Sequence, residues 1–394
     1  MINISPFFYL AKAFGLAPYN LQVDVKRSRA AAFVVRIPTF LMMFCYAMLV
    51  CSIFWKNKAV SEISNTVNWI QFVPNSTIFF VVLLTAEGSR HTIELVGTLM
   101  QSLDQKLKTL NISLIASCRR VRKLSLAALF IVIFCGSNIA VLHWITGTDG
   151  TTTSIFYWLA FVIGKVGLHA FNFMFALYMT VLLERLHLVE KTIEWMIELP
   201  TYRMMPTRNV TNLSQFANTS ENFDHIHDII EKLQKICFSI NLFFGKKVIF
   251  TILTAFICLT VQLFYLINNV RLGFHSRNAI WQAASSCSLI FTHILELLVI
   301  FISGHRVKDT WSALIKCMQD FKRKTSADEK MKAQVDELVS IMVYTRVEMK
   351  AAGLFNIDLS VITSIVSSIA TYLVVLVQFK MNEDDARGNS TSGN

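Results

Sequence analysis

The chain has 394 residues, 54% hydrophobic and 16% charged, against about 25% charged in a typical soluble domain. That deficit, with 31 Phe beside 6 Pro and 14 Gly, excludes most soluble folds and the collagen-like and disordered classes. The net charge of +11 calls for no nucleic acid, because a basic face beside anionic lipid accounts for it. The composition predicts an all-α membrane protein with one membrane domain.

Residues 1–32 read as a cytoplasmic segment in which Pro6 to Tyr19 is a short amphipathic helix lying on the membrane. Seven stretches are long and apolar enough to span a bilayer: 33–54, 67–86, 124–146, 155–183, 248–270, 280–302 and 354–379. They define a seven-helix membrane domain over 33–379, with cytoplasmic extensions at 87–123, 184–247 and 303–353. The N-terminal segment and these extensions hold 29 Lys and Arg, whereas the alternate segments hold 6. Basic segments stay on the cytoplasmic side, so the N-terminus is expected inside and the C-terminus outside. This topology is opposite to that of a G-protein-coupled receptor. The eight cysteines fall in spans or cytoplasmic segments, so no disulfide framework is expected. Of seven sequons, only Asn389 lies plainly outside.

Apolar positions from Ile93 to Leu110 recur every three or four residues, predicting a helix that continues below the membrane. The same spacing recurs over Phe223 to Leu242, Val307 to Phe321 and Met331 to Val347. Residues 200–220 read as a polar loop, and 380–394 as an unstructured extracellular tail.

Walker, GxSxG and HExxH motifs are absent from the sequence, and no enzyme activity, metal or cofactor is expected. His293 and Glu296 form a lone pair at three-residue spacing. Lys165 and His169, one turn apart, are costly in a bilayer unless paired, with Glu296 as a partner or gating as the competing role.

Outer halves of the second to sixth spans carry Trp69, Gln71, Asn138, His143, Trp144, Tyr157, Trp158, Gln262, Tyr265, Asn268, Trp281 and Gln282. Aromatic faces with amides suit a polyhydroxylated small molecule, and suit aromatic or bitter compounds nearly as well. Interfacial belts collect Trp and Tyr regardless of function.

In the last span Ser360, Ser364, Ser367, Thr371, Val374 and Gln378 share one helix face. Such a stripe must meet protein or water, as close helix packing or as the lining of a conduit built from several copies. Residues 371–379, Thr-Tyr-Leu-Val-Val-Leu-Val-Gln-Phe, match the TYhhhhhQF signature (h, hydrophobic) that closes the last helix of insect gustatory receptors. Gly353-Leu354-Phe355 and Gly15 to Tyr19 also resemble that family, with similarity to its fructose-receptor and gustatory-receptor-28 branches.

The resemblance implies a tastant-gated, nonselective cation channel of the plasma membrane. It implies a tetramer, as a homomer or a heteromer with related receptors, with the final helices around the pore and the cytoplasmic extensions between subunits. On that reading Ser364, Ser367, Thr371, Val375, Gln378 and Phe379 line or gate the pore. Asp358 offers either an acidic ring for cations or a charge at a helix N-terminus, and Tyr372 packs on a neighbouring helix. A sugar-type tastant is favoured over bitter compounds. The alternatives are a metabotropic seven-helix chemoreceptor, opposed by the charge topology, and a transporter, opposed by the absence of a visible inverted repeat or interrupted helix pair.

Overall fold

The computed structural model describes residues 6–16, 37–56, 63–110, 114–146, 152–202, 219–272, 277–324 and 329–391. In chain order these form α1 (Pro6–Ala13), α2 (Ile37–Lys56), α3 (Ile63–Gly88), α4 (Arg90–Thr109), α5 (Ile115–Thr146), α6 (Thr152–Tyr202), α7 (Thr219–Leu272), α8 (Arg277–Lys324) and α9 (Glu329–Tyr344). The short strands β1 (Lys350–Ala351) and β2 (Phe355–Asn356) precede α10 (Ser360–Thr391).

Among the described residues five helices are long and apolar enough to cross a membrane, within α5, α6, α7, α8 and α10, and a sixth span arises if α3 and α4 are counted together. Ile37–Cys51 of α2 is a shorter apolar helix. The three- and four-residue periodicities beyond the apolar runs fall on the same helices: α6, α7 and α8 run for 51, 54 and 48 residues, each longer than the hydrocarbon thickness requires.

Burial is graded from the centre outward. In the most apolar stretch of α6, 78% of residues are buried, against 6% in α10. α6 packs on α2, α3, α5 and α8, whereas α10 meets α7. Phe171, Phe175 and Tyr178 of α6 gather around Phe244 of α7, with ring centroids 5.2 to 5.7 Å apart. Trp311 of α8 is buried, and its indole N–H donates to the Met342 carbonyl of α9 at 3.3 Å.

α1 buries Phe7 and Ala11 in the bundle against α2, α5 and α6, so helices cover this part of its apolar stripe. Thr39 then donates to the Gly15 carbonyl at 2.8 Å. Three expectations need correction. The helix after the second span is not continuous: α3 and α4 meet at 61° beside Gly88 and Ser89, residues of low helix propensity. This interrupted pair also removes one of the sequence grounds for setting a transporter aside. The last helix begins at Ser360 rather than 354, since Ala352 and Gly353 take φ of 51° and 79° in the β1–β2 turn. Finally, α10 runs to Thr391, through the segment whose composition predicts an unstructured tail.

Candidate functional site

Two arrangements stand out: a buried polar cluster inside the bundle and a largely uncovered last helix. The cluster starts from α6, where Lys165, His169 and Asn172 occupy one face at spacings of four and three. His293 and Glu296 of α8 and Asn75 of α3 meet them, and all six are at most 3% exposed. The Glu296 carboxylate accepts from His169 Nδ1 at 2.6 Å, from His293 Nδ1 at 3.0 Å and from Asn172 Nδ2 at 3.2 Å. Lys165 Nζ lies 2.9 Å from His293 Nε2, 3.5 Å from Asn75 Oδ1 and 3.9 Å from Glu296 Oε2.

One hydrogen-bond assignment satisfies these distances. His293 donates through Nδ1–H to Glu296 and accepts through Nε2 from the Lys165 ammonium. The charges of Lys165 and Glu296 are then opposed through an imidazole as well as directly, which meets the requirement that buried charge be paired and hydrogen-bonded. His169 Nε2 and Asn172 Oδ1 have no hydrogen-bond partner among the described residues. The sequence indicated Lys165, His169, His293 and Glu296. It did not single out Asn75 and Asn172, although Asn172 continues the same face seven residues after Lys165. Asn75 is also a sequon, but its burial within α3 makes it inaccessible to glycosylation. No group of three or more His, Cys, Asp or Glu among the described residues could hold a metal.

Candidate ligand residues are less concentrated. The side chains of Trp69, Gln71, His143, Trp144, Tyr157 and Trp158 lie outside the described residues. Asn138 donates to the Phe134 carbonyl of its own helix at 2.9 Å. Gln262 is buried, Tyr265, Asn268 and Trp281 are half-buried, and Gln282 is exposed. These residues therefore occupy different depths of burial within the subunit.

On α10, Ser364, Ser367, Thr371, Val375, Gln378 and Phe379 are all exposed, Phe379 at 69%. Ile369 is the one α10 residue in the buried core among those described. Tyr372 sets its ring edge against Phe256 of α7 with centroids 5.8 Å apart, although more than half of it stays uncovered.

Asp358 precedes α10 as its cap. Oδ1 accepts the Ser360 backbone N–H at 3.1 Å and the Ser360 hydroxyl, while Oδ2 lies 3.1 Å from Lys308 Nζ of α8. The Ser360 hydroxyl, followed by Lys308, holds this carboxyl below its ordinary value, against a smaller opposing effect of burial. Within this chain Asp358 thus has the helix-terminal role and an ion pair.

Two further features escaped the sequence reading. Lys247 of α7 is buried with its ammonium 3.4 Å from the Phe243 ring centroid, a cation–π contact. At the α4–α7 face a groove of about 790 Å³ is lined by Leu95, Leu99, Phe238, Leu242 and Arg346, among others. Tyr344, close by in sequence, is 93% exposed. Phe238 at 69% and Leu242 at 55% add to this uncovered apolar surface.

Comparison with known proteins places this geometry. Residues 4–383 match the family described as 7tm chemosensory receptor. The chain is 21% identical over 426 residues to a Drosophila melanogaster protein that carries the name gustatory receptor 28b, covering 99% of this chain and 88% of that one. Its fold is similar to the insect olfactory receptor OR5 of Machilis hrabei, with TM-score 0.59, 12% identity and coverage of 95% and 100% of the two chains. The same receptor in complex with eugenol gives TM-score 0.63, 13% identity and coverage of 95% and 97%.

Proposed function

The chain belongs to the 7tm chemosensory receptor family, and on that premise we propose that it is a gustatory receptor acting as a tastant-gated, nonselective cation channel of the plasma membrane. The observation that carries the reading is α10. A helix carrying Thr-Tyr-Leu-Val-Val-Leu-Val-Gln-Phe at 371–379, with a row of Ser and Thr and 6% burial in its apolar stretch, is incomplete in a single subunit. Four copies around an axis enclose a conduit lined by Ser364, Ser367 and Thr371 and closed near Val375, Gln378 and Phe379. Gln378 and Phe379 are adjacent and point about 100° apart, so a modest rotation exchanges an apolar constriction for a polar one.

The uncovered apolar residues Leu95, Phe238, Leu242 and Tyr344 support subunit contacts through the cytoplasmic helices, in a homotetramer or with related receptors. The N-terminus is cytoplasmic and the C-terminus extracellular, as the charge asymmetry favours. A small-molecule tastant enters among the outer halves of the helices, and a sugar or polyol fits the aromatic and amide residues there. It opens the pore by its differential affinity for two arrangements of the bundle.

The test records calcium entry in transfected cells against sugars, polyols and bitter compounds, with Gln378→Ala and Phe379→Ala measured separately at matched surface density. Altered basal current or ion selectivity supports the reading. Wild-type behaviour for both substitutions removes these residues from the conduction path.

A further inference from the structure

The exposure of α10 raises the question of what fixes its position, because a helix with little packing along its length is held chiefly at its ends. The described contacts put the answer in the fifteen residues between α9 and α10. There, β1 and β2 form an antiparallel hairpin in which Lys350 faces Asn356 and Ala351 faces Phe355.

The hairpin is bonded to α7. Asn241 Oδ1 accepts the Lys350 backbone N–H at 3.0 Å, and the Gly245 carbonyl accepts the Ala352 N–H at 3.1 Å. A Cβ at Gly245 would stand 2.7 Å from the Lys350 carbonyl oxygen, so the approach requires glycine. After the hairpin, Ile357 is 2% exposed, and its N–H returns to the Met349 carbonyl at 2.7 Å.

α8 takes hold at the next two residues. A Cβ at Gly304 would overlap the Ile357 carbonyl oxygen. Lys308, one turn further along the same helix face, forms the 3.1 Å ion pair with Asp358. Asp358 in turn caps α10 through Ser360. An unbroken series of contacts therefore joins α8 to the first turn of α10. The upper part of the same α8 carries His293 and Glu296 of the buried cluster.

We propose that Gly304 and Lys308 form a clasp on Ile357 and Asp358 that transmits displacement of α8 to the foot of α10, with Lys308 a positioning residue for gating. The inference rests on the reading of α10 as the pore helix and adds the link that moves it. Shape complementarity at Gly304 sets the distance between the two helices. The ion pair sets the direction in which the α10 terminus points, because Asp358 bonds Lys308 with one oxygen and the helix terminus with the other. Lys308 is 40% exposed and Asp358 15%, so the pair is of the modest strength expected near solvent. That suits a contact that biases an equilibrium between two arrangements rather than one that holds the fold together.

The experiment needs no ligand. The accessibility of Gln378→Cys to a membrane-impermeant biotinylated methanethiosulfonate, above the background of the eight native cysteines, reports the position of α10 beyond its midpoint. Basal current at matched surface density reports the gate. Lys308→Gln removes one charge, and Asp358→Asn removes the other while keeping an acceptor for the helix cap. Each is expected to change the labelling rate or the basal current by about threefold, the size of an exposed ion pair. The double substitution is expected to match either single one, since both remove the same contact.

Additive effects, or wild-type values for both singles while Gln378→Cys is labelled, overturn the clasp and leave the pore reading standing. If Gln378→Cys is not labelled and its basal current is that of wild type, the pore reading falls and the clasp with it. Should neutralised chains fail to reach the surface, Lys308→Cys with Asp358→Cys takes their place. Basal current that changes on oxidation and returns on reduction supports the clasp, and indifference to both overturns it.

Discussion

The guanidinium of Arg185 grips both oxygens of Asp104, with Nε 3.2 Å from Oδ1 and Nη2 3.2 Å from Oδ2. Its remaining nitrogen, Nη1, donates to the Ser117 hydroxyl at 3.2 Å. Arg185 is fully buried, so one side chain fastens α6 to α4 and α5. Lysine retains the charge but not the fork. Arg185→Ala leaves the Asp104 carboxylate buried without its partner and is expected to cost about 3–5 kcal/mol. Arg185→Lys should fall between alanine and wild type. Thermal unfolding in detergent, followed by fluorescence-detected size exclusion, gives the order, and a lysine variant as stable as wild type would refute the role of the fork.

Lys165 and Glu296 should behave as a coupled pair. Glu296→Gln or Lys165→Met each strands the opposite charge in the bundle, whereas Lys165→Met with Glu296→Met removes both. The double variant is expected to be more stable than either single one, because the penalty belongs to the unpaired charge. Additive losses of folded, surface-exposed protein would show that the two residues do not depend on each other.

Close helix approach gives a third expectation. A Cβ at Gly167 of α6 would overlap the ring of Phe79, which is itself fully buried and edge-on to Tyr46 at 4.9 Å. Gly167→Ala should destabilise the chain by about 1–3 kcal/mol through overpacking. Phe79→Leu in the same chain should recover part of that loss, and the melting temperatures of the two variants decide it.

The Asp358 contacts carry a pH signature. Its carboxyl is held below its ordinary value, chiefly by the Ser360 hydroxyl and next by Lys308. A depressed value means that the stabilisation is complete above the unfolded value of about 4 and disappears as pH falls through the depressed one. Acidifying the face that bears Asp358 from about pH 7 to about pH 5.5 should therefore leave the difference between wild type and Asp358→Asn unchanged. Loss of that difference across the interval, measured on excised patches, would contradict it.

Topology is tested without electrophysiology. An epitope after Asn394 should be labelled on intact cells, and one before Met1 should require permeabilisation. The reverse pattern would overturn the charge-based orientation and the gating scheme together.

Much of the architecture was legible because bilayer thickness imposes it: runs of apolar residues near 248–270 and 280–302 lie inside α7 and α8. Helices that leave the membrane without interruption were legible as three- and four-residue spacing, as from Phe223 onward. Breaks were harder. The bend at Ser89 has no side-chain cap, and its signal is limited to Gly88 and Ser89. The start of α10 could have been placed from Gly353 and the Asp358-x-Ser360 cap, but the hydropathy of residues 354–359 continues the span and conceals it. The buried cluster was half legible, since Lys165 and Glu296 are conspicuous in apolar surroundings. His293 was legible as the neighbour of Glu296 at three-residue spacing, whereas Asn75 owes its position to helix packing across 90 residues, which no local spacing records.

The hydroxyls of α10 bear on how the subunit is made. Thr363, Ser368 and Thr371 each donate to a carbonyl three or four residues earlier in the same helix, at 2.7, 2.8 and 3.0 Å. A newly inserted chain therefore meets the hydrogen-bonding needs of these three groups within its own helix. For the tetramer proposed above, synthesis and assembly are then separable in time, and a single chain can persist in the membrane until assembly takes α10 out of lipid.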